Sequence, residues 1–329
     1  VGVVERLEAD VDVHLSGLLP QENLQLALAV DLRFPWPLQI SGVYFRPSFH
    51  YGALGIASRR RRQRMAAWAK QVVLRAALRN PHVRSLFSLD PFAASHIARW
   101  AQHTESIFLP EPLWVPGGPV QKWAREQAIE PGRRRLVIFG SLDDRKGIPH
   151  VLDALGALPA SSQRRLALIL AGSVSSSRPD ELRARIAALN ESSQVQVLLD
   201  DRFLPEAEVQ PLLAASDLVL LTYQHDHIGS SGGLVRAAAA GVPVLSTDHG
   251  LVGVQVRRHR LGLTLDTTSA EEIRSALLRW LERPATMPFD PVASRMFAAA
   301  NTADAFAETI FTRLLPRQLN RPEDRFRGE

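Results

Sequence analysis

Cysteine is absent from the 329-residue sequence, which excludes disulfide bonds, thiolate catalysis and cysteine-based zinc sites. No apolar run approaches the ~18 residues that indicate a membrane span, and the first residues contain no signal-peptide pattern. The ten histidines have neither HxxxH nor HExxH spacing, so we predict no metal site and no cofactor. These absences favour a cytoplasmic protein.

Lysine is also scarce, since only three of the 39 basic residues are lysines, namely Lys70, Lys122 and Lys146. The formal charge is +5 and the isoelectric point about 10.1, which favours anionic ligands or membrane surfaces over acidic partners. Apolar residues make up 46% and charged residues 22%, the balance of a folded globular protein. The length suits two domains of ordinary size.

The C-terminal half has a regular pattern of short apolar segments, each followed by an amphipathic one. Strands are predicted at 136–140, 166–170, 195–199, 217–221 and 242–245, and helices follow at 148–158, 179–190, 206–216, 234–240 and 269–283. Strands without polar alternation, each followed by a helix, indicate a parallel sheet that is covered on both faces. We therefore predict a doubly wound, Rossmann-like domain over residues 134–284.

The N-terminal part also alternates, but less regularly. Strands are predicted at 38–45, 83–88 and 106–109, and helices at 59–79 and 91–102. We find neither an opening strand nor a glycine-containing turn before residue 20, so we expect this domain to be abbreviated or to lack its native start. The predicted organisation is an N-terminal Rossmann-like domain over 1–112, a linker over 113–133, and a C-terminal segment over 285–329 with a helix at 291–314.

Two turns of the C-terminal domain have the composition of an anion site. The first carries Gly140, Ser141, Arg145 and Lys146, and a lysine there can neutralise phosphate oxygens. The alternative is a solvated charge cluster, because Asp143 and Asp144 lie beside these bases.

The second turn precedes the predicted helix at 234–240. Amide N–H groups at a helix start are unpaired and bind phosphate when no side chain blocks them. Ser230 and Ser231 add hydroxyl donors, and Gly232, Gly233 and the Leu234 backbone complete the turn. The alternative is N-capping by serine with small residues for tight packing. Because both turns follow strands at one sheet edge, together they predict a nucleoside diphosphate site.

These segments also carry a family resemblance. FGSLDDRKGIPHVLDAL, ASDLVLLTY and SSGGLVRAAAAGVPVLSTDHGLVG resemble the donor-binding domain of GT-B glycosyltransferases, specifically the retaining, nucleotide-sugar-dependent group 1 (family 4-like) enzymes. FSLDPFAASHIA and FLPEPL are similar to the end of that family's N-terminal domain. The resemblance implies two Rossmann-like domains and sugar transfer from a nucleotide-diphosphate sugar to a carbohydrate, lipid or small-molecule acceptor, with retention and without an enzyme nucleophile.

The sequence departs from the family at three positions. Ser141 stands near the place of an arginine that usually precedes the phosphate-binding lysine. The family's paired glutamates fall on Ile228 and Arg236. The second glutamate normally holds the donor ribose, and an arginine cannot accept hydrogen bonds from hydroxyl groups. Arg236 would therefore contact phosphate or form a structural ion pair.

The resemblance also implies roles for individual residues. Lys146, with Arg145 and the helix start, would stabilise the leaving diphosphate. His50, near Arg46, matches a histidine that the family places near the donor sugar, and an ordinary surface or capping residue is the alternative. Asp226 and His227 would touch the sugar or the acceptor. Asp90 and Glu111 are weaker candidates.

The segment 59–79 is strongly basic and allows two interpretations. Its apolar residues, which include Met65, Trp68 and Val72, are expected in a helix packed on its own domain. The Arg59–Arg62 run could instead meet anionic lipid at the inner face of the membrane. We predict no nucleic-acid partner, because no recognition motif accompanies the positive charge.

Three functions remain open at this point. The leading hypothesis is a glycosyltransferase. The second is a non-catalytic nucleotide-sugar-binding or scaffold protein with a degenerate site. The third, a sugar-nucleotide epimerase of the same fold, lacks the acidic and histidine constellation that it requires.

Overall fold

The computed structural model describes residues 12–15, 39–44, 49–50, 61–114, 123, 125 and 128–314. The chain divides into two compact units, Val1–Pro112 with Ala303–Glu329 and Leu113–Thr302. The predicted linker 113–133 thus belongs to the second unit. The predicted C-terminal segment 285–329 is divided between the two units.

The first unit contains a parallel four-stranded sheet in the order β1-β2-β3-β4. Its strands are β1 (Asp12–Leu15), β2 (Gln39–Val43), β3 (Val83–Ser88) and β4 (Glu105–Phe108). Its helices are α1 (Arg61–Ala77), α2 (Pro91–Ile97) and the C-terminal helix Ala303–Leu314. The prediction that no strand precedes residue 20 is wrong, because β1 pairs in parallel with β2.

The packing of α1 also differs from the prediction. Leu74, Ala77 and Leu78 are buried, and Leu74 and Leu78 cluster with Ala93 and Ile97 of α2. Met65 and Trp68 are exposed instead of packed on the domain. The helix therefore uses its C-terminal turns for the core, and an apolar stripe on its other face remains exposed.

The second unit contains a parallel six-stranded sheet in the order β10-β9-β8-β5-β6-β7. The strands are β5 (Arg134–Phe139), β6 (Leu166–Ala171), β7 (Gln196–Asp200), β8 (Leu218–Leu221), β9 (Val244–Thr247) and β10 (Gly262–Leu265). All six residues of β6 are buried, as expected for a strand covered on both faces. The chain order reverses between β5 and β8, which is where doubly wound sheets bind ligands.

Helices cover both faces of this sheet. They are α3 (Ile148–Gly156), α4 (Ala160–Gln163), α5 (Pro179–Ser192), α6 (Glu206–Ala214), α7 (Gly232–Ala239), α8 (Gly250–His259), α9 (Ala270–Glu282) and α10 (Pro291–Ala299). One core cluster includes residues of α6, α7, α8 and α10, and the other includes residues of α3, α5 and α9. None of the helices in the described ranges has the length and hydropathy to cross a bilayer.

The predicted elements of this unit occur with shifts of a residue or two at their ends, but several features differ. The sequence pattern missed α4, α8 and β10. The helix predicted at 291–314 is two helices, α10 and Ala303–Leu314, which belong to different units.

Candidate functional site

Lys146 lies at the carboxyl edge of the six-stranded sheet. The chain leaves β5 through Gly140, makes one 3₁₀ turn over Asp144–Lys146, and enters α3 after Gly147. The Lys146 Nζ donates to the Phe139 carbonyl at 2.7 Å and lies 5.6 Å from the centre of the Tyr223 ring. The ammonium group is therefore held in front of β5, facing the turn that follows β8.

The turn of Lys146 packs directly on the segment that follows β8. Thr222 Oγ1 donates to the Lys146 carbonyl at 2.6 Å, and the Gln224 amide donates to the Arg145 carbonyl at 2.8 Å. Gly147 has a φ of +60°, and a Cβ there would lie 2.5 Å from the Thr222 carbonyl oxygen. Only glycine fits this contact without strain, so Gly147 fixes the position of the turn.

The second predicted turn leads into α7, and its serine does not cap the helix. Ser231 occupies the N-cap position without a side-chain capping bond, and its Oγ lies 2.8 Å from the Tyr223 hydroxyl instead. The Leu234 amide donates to the Ser231 carbonyl. Within the described ranges no protein acceptor bonds the amides of Gly232 and Gly233. The alternative of N-capping by Ser231 is thus wrong, and two amides at the helix start are available to an anion.

The two glycines at this helix start have local packing partners. A Cβ on Gly233 would lie 3.2 Å from Ser231 Oγ and 3.4 Å from Leu221 Cδ2, so this residue permits close packing of α7 on the sheet. A Cβ on Gly232 would lie 2.9 Å from Nη1 of Arg236. Tight packing therefore accounts for Gly233, and the Arg236 side chain occupies the space beside Gly232.

Tyr223 joins the two turns, although the sequence did not single it out. Its ring faces Lys146, its hydroxyl contacts Ser231, and the His227 ring stacks on it at 4.0 Å between centroids. The available signal was its position two residues after the buried strand β8, where chains of this topology place ligand contacts. The structure thus brings Gly140, Lys146 and the start of α7 to one edge of the sheet.

Arg145 and its acidic neighbours are already paired. Arg145 Nη2 lies 2.6 Å from Asp143 Oδ2, and its hydrogen bond to Asp143 raises the pKa of the guanidinium. Ser176 Oγ donates to Asp144 at 2.6 Å, and bonds from Ser176 and Ser177 lower the pKa of this carboxyl group. Ser141 Oγ lies 2.6 Å from Ser175 Oγ. Part of the turn therefore matches the predicted charge cluster.

Arg236 forms the ion pair that was one of its two predicted roles. Its Nε and Nη2 donate to the two carboxylate oxygens of Glu206 at 2.8 and 3.0 Å. Nη1 also faces the Gly232 carbonyl at 3.4 Å. The guanidinium therefore connects the starts of α6 and α7.

The other predicted contacts in this unit lie in the loop between β8 and α7. Asp226 is exposed, whereas His227, Ile228 and Ser230 are half-buried. The Ile228 carbonyl accepts from the Leu251 amide at 3.0 Å. This loop is thus tied to the start of α8 and carries Asp226 at its surface.

His50 and Asp90 form a buried pair in the first unit. His50 Nε2 lies 3.0 Å from Asp90 Oδ2, and the side chains are 2% and 3% exposed. Asp90 also caps α2, because its side chain accepts from the Phe92 and Ala93 amides. His50 is therefore neither a surface residue nor itself a cap. Arg46 lies outside the described residues, and Glu111 is half-buried.

A cleft of about 270 Å³ opens beside the first turn of the second unit. It lies between the starts of α3 and α5, and its lining includes Gly147, His150, Arg178, Arg185 and Gln224. Lys146, Tyr223 and Ser231 do not line it, so we do not assign it to the anion site. Among the described residues no group of His, Asp and Glu could hold a metal ion.

The comparison with known families decides what this architecture belongs to. The model of the family "Glycosyl transferases group 1" matches residues 119–301, which is more than half of the chain and includes both turns. The chain belongs to this family. It is a glycosyltransferase, and its α/β architecture with two parallel sheets is that of GT-B enzymes, as the sequence predicted.

Solved glycosyltransferases of several kinds share the fold of this enzyme. HepE from Anabaena, solved with UDP, is 17% identical at a TM-score of 0.59, and the match covers 90% of this chain and 77% of that one. The UDP-forming α,α-trehalose-phosphate synthase of Burkholderia xenovorans is 11% identical at a TM-score of 0.64, covering 92% and 72%. Sucrose-phosphate synthase of Thermosynechococcus elongatus is 18% identical at 0.59, covering 88% and 70%. The sequence comparison with curated proteins found no match to this chain.

Proposed function

We propose that this glycosyltransferase takes its sugar from a nucleoside-diphosphate sugar and transfers it to a carbohydrate, lipid or small-molecule acceptor with retention of configuration. The family membership supports the transfer, and the resemblance to retaining enzymes supports the stereochemistry. HepE, which has the same fold, was solved with UDP-glucose as well as with UDP, which makes a uridine nucleotide the first donor to test.

One observation carries the proposal, namely the convergence of Lys146 and the start of α7 around Tyr223. Lys146 supplies a full positive charge, and the Gly232 and Gly233 amides supply two donors together with the positive end of the helix dipole. A diphosphate needs both, because its charge is spread over several oxygens. Donors that are fixed before the reaction stabilise the charge that develops on the leaving diphosphate.

The remaining site residues have subordinate roles in this proposal. Gly140 gives the ligand access to Lys146, and Ser230 and Ser141 provide hydroxyl groups at the rim. Asp226 and His227 would contact the sugar or the acceptor. Arg145 adds little positive charge near the diphosphate, because Asp143 pairs with its guanidinium.

The decisive test is titration of UDP and GDP by calorimetry, with UDP release from UDP-glucose followed in parallel. Lys146→Ala should weaken nucleotide binding about tenfold or more, because charge-assisted bonds to phosphate are the strong ones. Lys146→Arg should retain part of the affinity. Lys70→Ala removes one of the other lysines and should leave nucleotide affinity unchanged. Equal affinity of wild type and Lys146→Ala would refute this location of the site.

A second candidate function is a non-catalytic nucleotide-sugar-binding protein. The observation that favours it is the Arg236–Glu206 pair, because the resemblance implies a ribose-holding carboxylate at position 236. The same titration separates the two candidates. The non-catalytic protein would be favoured if UDP binds but no UDP is released from UDP-glucose, whether the sugar is offered an acceptor or only water.

A further inference from the structure

Helix α1 presents an apolar stripe on the surface of the first unit. Met65 and Trp68 are each 67% exposed and Val72 is 46% exposed. Their i, i+3, i+7 spacing places them on one face of the helix, opposite Leu74, which is 1% exposed. A tryptophan and a methionine that are exposed on one helix face lose the stabilisation that burial would give them. An exposed apolar patch of this kind marks a surface that contacts a partner or a membrane.

The sequence that contains this stripe carries charge of one sign. From Arg59 to Arg79 the sequence contains seven arginines and one lysine, and no Asp or Glu occurs between Asp31 and Asp90. Arg79 is exposed in the turn that ends α1. Arg75, also exposed, is held over the Trp100 ring at 4.4 Å. Any surface that covers the stripe must therefore accept a dense positive charge.

We propose that the exposed face of α1 lies on an anionic lipid surface, with Trp68, Met65 and Val72 inserted at the level of the headgroups. A basic helix with a large aromatic residue on its apolar face suits this interface. Each nearby Lys or Arg adds attraction to anionic headgroups, and arginine stems can extend along the apolar boundary. The proposal does not depend on the identity of the sugar donor.

A lipid surface fits this face better than a second copy of the chain. In a symmetric dimer through α1 the same arginines would meet each other, and like charges repel. An anionic bilayer neutralises them and accepts the apolar stripe at the same time. Charge complementarity therefore decides between the two occupants.

The test is sedimentation of the full chain with vesicles of phosphatidylcholine alone and of phosphatidylcholine with about 30% phosphatidylglycerol, a composition with a negative surface potential. Wild type should bind the anionic vesicles and not the neutral ones. Raising the salt from about 0.1 M to about 0.5 M should weaken binding at least several-fold, because salt screens the attraction between headgroups and exposed charges such as Arg75 and Arg79.

Two variants separate the apolar and the charged contributions. Met65→Ala with Trp68→Ala should lower the partition coefficient about tenfold, through lost apolar burial. Arg61→Gln with Arg62→Gln and Arg79→Gln should lower it to a similar extent through lost attraction. Phe203→Ala is the matched control, because Phe203 is 80% exposed in the second unit, and it should bind like wild type. Circular dichroism and UDP titration of each variant verify that it is folded.

Three results would overturn the proposal. The first is equal binding to neutral and anionic vesicles, or to neither. The second is binding that the α1 variants do not change. The third is a concentration-dependent dimer in the absence of lipid that Trp68→Ala abolishes, which would assign the face to a second copy. If the α1 variants lose vesicle binding but keep their UDP affinity, the result supports the lipid surface and does not contradict the proposed donor site.

Discussion

Arg236 and Glu206 form a two-pronged ion pair across 30 residues of sequence, at N···O distances of 2.8 and 3.0 Å. Both side chains are about one third exposed or less. The pair connects the first turn of α6 with α7, the helix whose first amides, of Gly232 and Gly233, have no acceptor among the described residues. The guanidinium is thus paired with a carboxylate, which is one of the two roles predicted for Arg236.

This pairing predicts the behaviour of Arg236→Ala. The free energy of unfolding should fall by about 1 kcal/mol or less, because the pair is partly exposed. A double-mutant cycle with Glu206→Ala, measured by urea denaturation, should give a coupling of about 0.5–1 kcal/mol. UDP affinity should stay close to wild type. The charge-reversed variant Arg236→Glu with Glu206→Arg serves as the control that restores the pair.

A different outcome would return Arg236 to the phosphate site. If Arg236→Ala lost roughly tenfold in UDP affinity while Glu206→Ala did not, the guanidinium would be leaving Glu206 to bind the ligand. The cycle measures stability and the titration measures binding, so the two roles are separated by experiment.

Gly147 should be the least replaceable residue of the first turn. An alanine there would adopt a φ of +60° and place its Cβ 2.5 Å from the Thr222 carbonyl oxygen. A left-handed conformation costs an L-residue about 1–2 kcal/mol, and the overlap with fixed backbone adds about 1–3 kcal/mol. Gly147→Ala should therefore lower the free energy of unfolding by about 3 kcal/mol.

Gly241 provides a matched control for this substitution. It has a φ of +69°, and a Cβ there would meet nothing within 4 Å. Gly241→Ala should cost only the conformational term, about 1–2 kcal/mol. Equal losses in the two variants would mean that the turn relaxes and that the contact between Gly147 and Thr222 does not fix Lys146.

The sheet of the second unit was predictable because its strands are buried on both faces. Strands such as β6 are apolar at every position, and the helices between them have clear apolar periodicity. The helix and the strand in segment 250–265 were not predicted, and the reason is physical. Helix α8 buries Gly250, Gly253 and Gln255 beside its apolar residues, and β10 is only the four residues GLTL. Small and polar residues in a core leave no pattern to find.

The site was predictable only in part, because some of its contacts join residues that are far apart in the sequence. Lys146 and the glycine turn stand in recognisable local motifs, so their position at the carboxyl edge of the sheet could be predicted. The Tyr223 contact with Ser231 and the Arg236 pair with Glu206 depend on which turns and helices become neighbours. No local spacing encodes these contacts. For the same reason the exposure of Trp68 could not be inferred from its helical spacing.

His50 should contribute to stability more than to turnover. Its ring is 2% exposed beside Asp90, and Asp90 also caps α2. His50→Gln should lower the free energy of unfolding by about 1–3 kcal/mol, through a buried partner left unsatisfied, with little change in kcat on any productive donor. A loss of kcat at unchanged stability would instead support contact between His50 and the sugar.

Asp90 provides a graded comparison for the same pair. Asp90→Asn keeps a good N-cap residue and removes the negative charge beside His50, whereas Asp90→Ala removes both. The alanine variant should be less stable than the asparagine variant by about 1 kcal/mol, the usual contribution of an N-cap. Thermal and urea unfolding of the two variants measure this difference. Equal stabilities would show that Asp90 does not act as a cap.

His249 should make the second unit less stable at mildly acidic pH. Its Nε2 faces the Gln224 carbonyl at 3.0 Å, and burial lowers the pKa of its ring below the ordinary value of 6.5. The folded chain therefore binds its proton less readily than the unfolded chain does. As the pH falls through about 6.5, the unfolded state takes up the proton first, and the free energy of unfolding decreases until the folded pKa is reached.

His249→Gln should therefore show a shallower decrease in stability between pH 7 and pH 5 than wild type, measured by urea denaturation. His103→Gln, at an exposed position, should retain the wild-type slope. A slope in His249→Gln as steep as that of wild type would place the acid sensitivity elsewhere, for example at His259, whose pKa burial also lowers.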